Sequence, residues 1–198
     1  SPSAGAGVSP AALLMSEAAE ARRAGRNNHA LGLCRQVLQL EPSNLSALAL
    51  SGEIYLTSGR KADAEPLLAK AVSLNPGNPA LQHMLGVALY QLDRADEAVK
   101  ALRRSVELSR DNADAWSALG ASLQRIDLLD EALEAYEQAT SLNPGDATIW
   151  VNRASAAMRL KDWANADSAT TRALSIDPAN RRGLAYRAMA LTETGRRD

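Results

Sequence analysis

One cysteine and two histidines are all that 198 residues offer to thiol or imidazole chemistry. Cys34 stands alone, so no internal disulfide can form, and a reducing, cytoplasmic compartment fits the chain. His29 and His83 lie far apart, and no two Cys or His residues have the spacing of a metal-ligand pair. No run of residues looks like a strand, so no glycine-rich phosphate loop can follow one. Charge is close to balanced: 22 Lys+Arg against 23 Asp+Glu leave a net −1. That balance argues against a nucleic-acid partner. The longest run free of Asp, Glu, Lys and Arg, Ala71 to Leu92, contains Pro76, Pro79, Gly77, Asn75 and Asn78. It therefore holds two helix ends and a turn rather than a membrane span. The opening SPSAGAGVSP has neither the basic region nor the apolar core of a signal peptide, and residues 1–10 are expected to be a flexible linker. Arginine outnumbers lysine 18 to 4, which points to a GC-rich bacterial genome.

What the chain does have is repetition. Pro42, Pro76, Pro144 and Pro178 fall on a grid of 34 residues, with Arg110 in the vacant slot. Ala18, Gly52, Gly86, Gly120, Ala154 and Ala188 form a column of small residues on the same grid, and Ala30, Ala64, Ala98, Ala132 and Ala166 form a column that is always alanine. Cys34, Leu68, Leu102 and Tyr136 make a mostly apolar column, with Thr170 as its exception. Asn44, Asn78, Asn112, Asp146 and Asn180 make a polar one.

Within each unit the apolar residues recur at steps of three and four, as in AWSALGASLQ and EALEAYEQAT, so each unit holds two amphipathic helices. Gly25, Gly59 and Gly195 fall where the first helix ends and suit a left-handed cap. The Asn/Asp column precedes the next unit and can cap its first helix, and the proline two residues earlier cannot continue the preceding one. The small and all-alanine columns mark where two helices approach most closely.

Trp116, Leu119, Gly120, Leu123, Ala132, Tyr136 and Pro144 together resemble the tetratricopeptide repeat. The resemblance covers five whole units, 11–44, 45–78, 79–112, 113–146 and 147–180, with a sixth first helix in 181–198, as one domain from 11 to 198. Glu17, Ser51, Arg153 and Arg187 depart from its leucine column and Arg110 from its proline. It implies an all-α solenoid, a right-handed superhelix of stacked antiparallel helix pairs whose first helices line a concave groove.

Other residues have plain structural roles. Cys34 sits in an apolar column and is expected to be buried and inert. Trp116, Trp150 and Trp163 are expected to pack in the core, and Arg103 with Arg104 to form a solvated face. The acidic pairs Asp96–Glu97 and Asp130–Glu131 open second helices, where they suit the helix dipole.

Catalytic, cofactor and metal residues are therefore expected to be absent and the chain not to be an enzyme. The resemblance places the groove residues by repeat position: Glu53, His83, Val87, Tyr90, Asp114, Ser117, Ala121, Gln124, Asn152 and Ser155. Glu53, His83 and Asp114 are expected to converge and to receive a basic group of a bound peptide, beside Val87 and Tyr90. The basic clamp and the asparagine ladder of some relatives are missing. The implied function is a protein-interaction module that binds a peptide or helical segment. The alternative is the recognition arm of a larger bacterial enzyme, an oxygenase, glycosyltransferase or sulfotransferase, with its catalytic domain beyond Asp198. The last helix, through Leu184, Ala188 and Leu191, is expected to have an open flank, covered by further chain or by another copy.

Overall fold

The computed structural model describes residues 9–195, and these form eleven helices. They are α1 (Pro10–Arg23), α2 (Asn27–Leu40), α3 (Leu45–Thr57), α4 (Lys61–Leu74), α5 (Pro79–Gln91), α6 (Ala95–Leu108), α7 (Ala113–Arg125), α8 (Leu129–Leu142), α9 (Ala147–Leu160), α10 (Trp163–Ile176) and α11 (Arg181–Thr194). No strand occurs among the described residues, and no helix there is long and apolar enough to cross a membrane. The described helices gather into two compact units, one up to Leu92 and one from Asp93. The division falls in the turn after α5, inside the third repeat. In the first unit α1 packs on α2, α2 on α3, α3 on α4 and α4 on α5; in the second the succession runs from α6 to α11.

The grid of small and polar residues explains why each helix starts and stops where it does. Asn44, Asn78, Asn112, Asp146 and Asn180 each accept a backbone N–H of the helix they precede, the hydrogen bond expected of an N-cap. Each such cap contributes about 1 kcal/mol. Ser9 does the same for α1, accepting from the Ala12 N–H at 3.1 Å, with Pro10 at the first helical position. The first helix therefore starts inside the stretch expected to be linker; residues 1–8 lie outside the described residues. At the other end of the first helices, Gly25, Gly59 and Gly195 have φ of 73°, 74° and 70°. Asp93, Asp127 and Lys161 hold the same place in the remaining repeats at φ 61°, 66° and 61°. The left-handed turn is thus a property of every repeat, and aspartate and lysine tolerate it at some cost.

The core follows the columns closely. Ala30, Ala64, Ala98, Ala132 and Ala166 are all fully buried, as are Cys34, Leu68, Leu102 and Thr170, with Tyr136 at 1% exposure. Thr170 satisfies its hydroxyl inside the helix, donating to the Ala166 and Asp167 carbonyls at 2.9 Å. Burial pushes the Cys34 thiol up from its ordinary pKa, and a hydrogen bond with Ser51 only partly opposes it, so the thiolate is scarce. Gly52 and Gly120 mark the tightest contacts. A Cβ at Gly52 would sit 2.6 Å from a Leu68 methyl, and one at Gly120 would sit 2.8–2.9 Å from three atoms of the Tyr136 ring.

The tryptophans differ from expectation. Trp116 and Trp150 are half-buried, and their indole N–H groups donate to the Arg110 and Pro144 carbonyls at 2.9 and 3.0 Å. Gln82, at the same repeat position, donates to the Pro76 carbonyl at 3.1 Å. The side chain at this position thus ties each first helix back to the turn before it, and an indole serves because it carries a donor as well as a large apolar surface. On α11, Leu184 and Met189 are 50% and 54% exposed.

Three outcomes follow for stability. Gly32 in α2 has open space where a Cβ would stand, so Gly32→Ala should gain about 0.5–1 kcal/mol of helix stability. Gly120→Ala should instead lose up to about 2 kcal/mol, because overpacking against Tyr136 outweighs the same gain. Chemical denaturation of both variants checks this, and a stabilised Gly120→Ala would refute the close contact. Arg110→Pro should add about 0.4–1 kcal/mol. Ser109 already has the extended backbone that precedes proline, φ −147° and ψ 109°, and the Arg110 N–H makes no backbone hydrogen bond in the turn. A lower melting temperature for this variant would show that the junction needs a different φ.

Candidate functional site

The first helices of the repeats present the candidate residues, and each unit is built by the same rule. The twelfth residue of one repeat meets the ninth of the next. In the first unit these are Arg22 and Glu53, paired at 2.9 Å. In the second they are Gln124 and Ser155, hydrogen-bonded at 3.0 Å, and Met158 and Met189, which line one small cavity of about 270 Å³ with Trp163.

In the first unit, Glu53 is consequently not a bare carboxylate. Its Oε1 accepts from Arg22, whose other terminal nitrogen donates to Asn27 Oδ1 at 3.2 Å. The pair is partly exposed and is worth no more than about 1 kcal/mol, but it offsets the negative charge expected to attract a basic ligand. His83, Val87 and Tyr90 lie half-buried on α5. Asp114 belongs to the second unit, where it is exposed in the first turn of α7.

The second unit brings two of the expected residues, Gln124 and Ser155, into a connected network with Tyr136, Tyr186 and Arg182. Gln124 is held from both ends of its amide: Oε1 accepts from the buried Tyr136 hydroxyl at 3.2 Å, and Nε2 donates to Ser155 Oγ. The Tyr186 hydroxyl of α11 donates to the same Ser155 oxygen at 3.4 Å and accepts from Arg182 at 3.4 Å. Asn152 lies one turn before Ser155 on α9, and Ser117 and Ala121 lie on α7, all half-buried. Burial pushes the Tyr186 phenol up, but its bonds to Ser155 and Arg182 and the Arg182 charge outweigh this, leaving its pKa below the ordinary tyrosine value.

The rim is committed to structure. Arg159 donates to the Gln124 carbonyl at 2.6 Å and pairs with Asp127 at 2.7 Å, and Arg125 pairs with Asp93. Both guanidinium groups therefore brace the left-handed turn of the preceding repeat. Tyr186 and Arg182 were not among the expected site residues. Tyr186 does stand one repeat after Asn152 in a groove column, which was the available signal.

Chemically, the network offers hydroxyl, amide and guanidinium groups on a surface of small side chains. That inventory hydrogen-bonds a polypeptide backbone or polar side chain. Ser155 has no histidine or lysine bonded to it, and no group of His, Cys, Asp and Glu able to hold a metal ion occurs among the described residues.

Comparison with known proteins matches this architecture. The chain matches the tetratricopeptide repeat over residues 21–69 and 59–123, and again over 113–156 and 147–180. Among solved structures, it resembles YrrB, described as a tetratricopeptide repeat protein with an unusual peptide-binding site, at 24% identity and a TM-score of 0.80, covering 88% of this chain and 90% of that one. It resembles MamA at 27% identity and a TM-score of 0.77, covering 85% and 92%. MamA from residue 41 to its end, from Desulfovibrio magneticus RS-1, gives 19% identity and a TM-score of 0.79, covering 88% and 99%. No curated protein sequence matches the chain.

The Tyr186 network gives a direct test. Arg182→Gln removes the charge and weakens one bond to the phenolate, so the Tyr186 pKa should rise relative to the unmodified chain. An absorbance titration of the phenolate, with Tyr186→Phe subtracted to isolate this residue, checks the direction; an unchanged or lower value would exclude the contact.

Proposed function

The chain belongs to the tetratricopeptide repeat family, and we propose from that premise that it is a non-enzymatic interaction module whose first helices hold a peptide segment of another protein. The observation that carries this is the network Gln124–Ser155–Tyr186–Arg182, set among the small side chains Ser117, Ala121 and Asn152. Small residues let a backbone approach the helices closely, and the network supplies donors and acceptors already held in place. Pre-organisation lowers the entropy lost on binding. The likeness to YrrB, which is described as having a peptide-binding site, supports the same surface class.

Within the first unit, Glu53, His83, Val87 and Tyr90 stand on the first helices α3 and α5 as further proposed peptide contacts, and Asp114 does so on α7 of the second unit. Arg22 already holds Glu53, so a basic ligand gains less there than an unpaired carboxylate would give. Recognition is therefore centred on α7, α9 and α11.

Peptides selected from a displayed library on the intact chain provide the test. Ala121→Arg and Ser155→Arg place a long cation on the surface and should weaken the selected peptides at least tenfold, the loss expected when one or two charge-assisted or buried hydrogen bonds of about 1.5–3 kcal/mol are denied. Circular dichroism should show an unchanged helix content. Full affinity in both variants would place binding elsewhere.

A further inference from the structure

The second unit has an open hollow, apart from the surface proposed above. Helices α6, α7 and α8 bound a cavity of about 560 Å³, within the size range of side-chain and small-ligand sites. Its floor is Trp116, Leu119 and Leu123 of α7. Its rim carries four carboxylates, Glu107, Glu131, Glu134 and Glu137, against the guanidinium groups of Arg103 and Arg110. Arg103 pairs with Glu131 and Arg104 with Glu107, whereas Glu134 and Glu137 have no ion-pair partner among the described residues.

The next repeat shows how such a hollow is filled. Arg153 stands one repeat after Leu119. Its guanidinium carbon lies 5.6 Å from the Trp150 ring centre, its Nε donates to Asn165 of α10 at 3.1 Å, and a terminal nitrogen donates to Thr140 of α8 at 3.4 Å. The residues one repeat earlier than Trp150, Asn165 and Thr140 are Trp116, Glu131 and Val106, and all three line the hollow. The fourth repeat thus keeps the aromatic face, turns the amide acceptor into a carboxylate that Arg103 holds, and has Leu119 where the fifth has Arg153, so no guanidinium lies over Trp116 from that position.

We propose that the hollow between α6 and α8 receives an arginine side chain of a partner polypeptide. The guanidinium lies over Trp116 with Glu134 and Glu137 as its counter-charges, and the methylene stem covers Leu119 and Leu123. Arginine suits this better than lysine, because a planar guanidinium stacks on an aromatic face and can bond two carboxylates in one plane. The excess of carboxylates on the rim excludes an acidic occupant. This site is independent of the first-helix surface, and the two can fail separately.

The test uses the full chain and N-acetyl-arginine N-methylamide as the probe, with its citrulline counterpart as the neutral isostere. The readout is the NMR shift of the Trp116 indole N–H, identified by its loss in Trp116→Phe. The arginine probe should give a saturable shift, and citrulline one at least about tenfold weaker, as should Glu134→Gln combined with Glu137→Gln. Leu119→Arg, which supplies the group from within, should abolish the response; should that variant not fold, the exposed carboxylate pair decides. Equal responses to arginine and citrulline, an unaffected carboxylate variant, or shifts confined to Ser155 and Tyr186 would each overturn the proposal.

Discussion

The distance between the two helices of a repeat is the constraint on which the rest depends. It is set where a small residue of the first helix faces a large buried one of the second. Gly120 lies against the Tyr136 ring and Gly52 against Leu68, so closely that one added carbon would fall within 3 Å of its neighbour. At that separation the all-alanine column is sealed completely, with no exposed surface at any of its five positions. Closely packed interiors respond to a single methylene, so this spacing fixes the depth at which every other side chain sits. Gln124 reaches Tyr136 because Gly120, one turn earlier on the same helix, lets the tyrosine ring pass beneath α7. The network that carries the proposed function therefore rests on the same close approach that holds the repeat together.

That part of the molecule was legible in the sequence, because it depends on residue type at a fixed period. An alanine column, a glycine or alanine at the close approach and an Asn/Asp before a first helix recur with the same cause along the chain, so one period of 34 exposes them all. The left-handed turn was only half legible: glycine announced it in three repeats, while Asp93, Asp127 and Lys161 adopt it without a compositional signal. The candidate site was less legible still. Repeat position places a residue on a face, but it does not say which neighbour takes up its hydrogen-bonding capacity. Glu53 has the look of a free carboxylate in the sequence, yet Arg22, 31 residues earlier, holds it. Contacts of this kind join different positions of adjacent repeats, at separations of 31, 32 or 35 residues, and so appear in no single column.

The departures from the repeat pattern divide accordingly. Ser51 in the leucine column is buried and hydrogen-bonds Cys34, and Glu17 pairs at the surface with His29. Each of these is absorbed by a local partner. Arg187 leaves its Nε buried without a hydrogen bond among the described residues, a polar group held at some expense to stability. Arg153 is different in kind. It bridges Thr140 and Asn165 across two repeats and stacks on Trp150, so a position that is leucine in the third and fourth repeats becomes a polar strut.

The contrast between Leu119 and Arg153 shows how a repeat protein acquires distinct surfaces from one fold. Both residues stand at the same position, beside equivalent tryptophans whose indole groups donate to equivalent turn carbonyls. Where the residue is arginine, the space between successive second helices is filled by the chain itself. Where it is leucine, the walls remain, one acceptor has become a carboxylate, and the space is open. Both repeats share an Asn or Asp cap, a small buried residue on the first helix, a buried alanine on the second and a left-handed turn between them, so these features do not separate the two cases. The shared columns hold the architecture, while the residue at this one position decides whether the space beside the tryptophan is filled by the chain itself or left open.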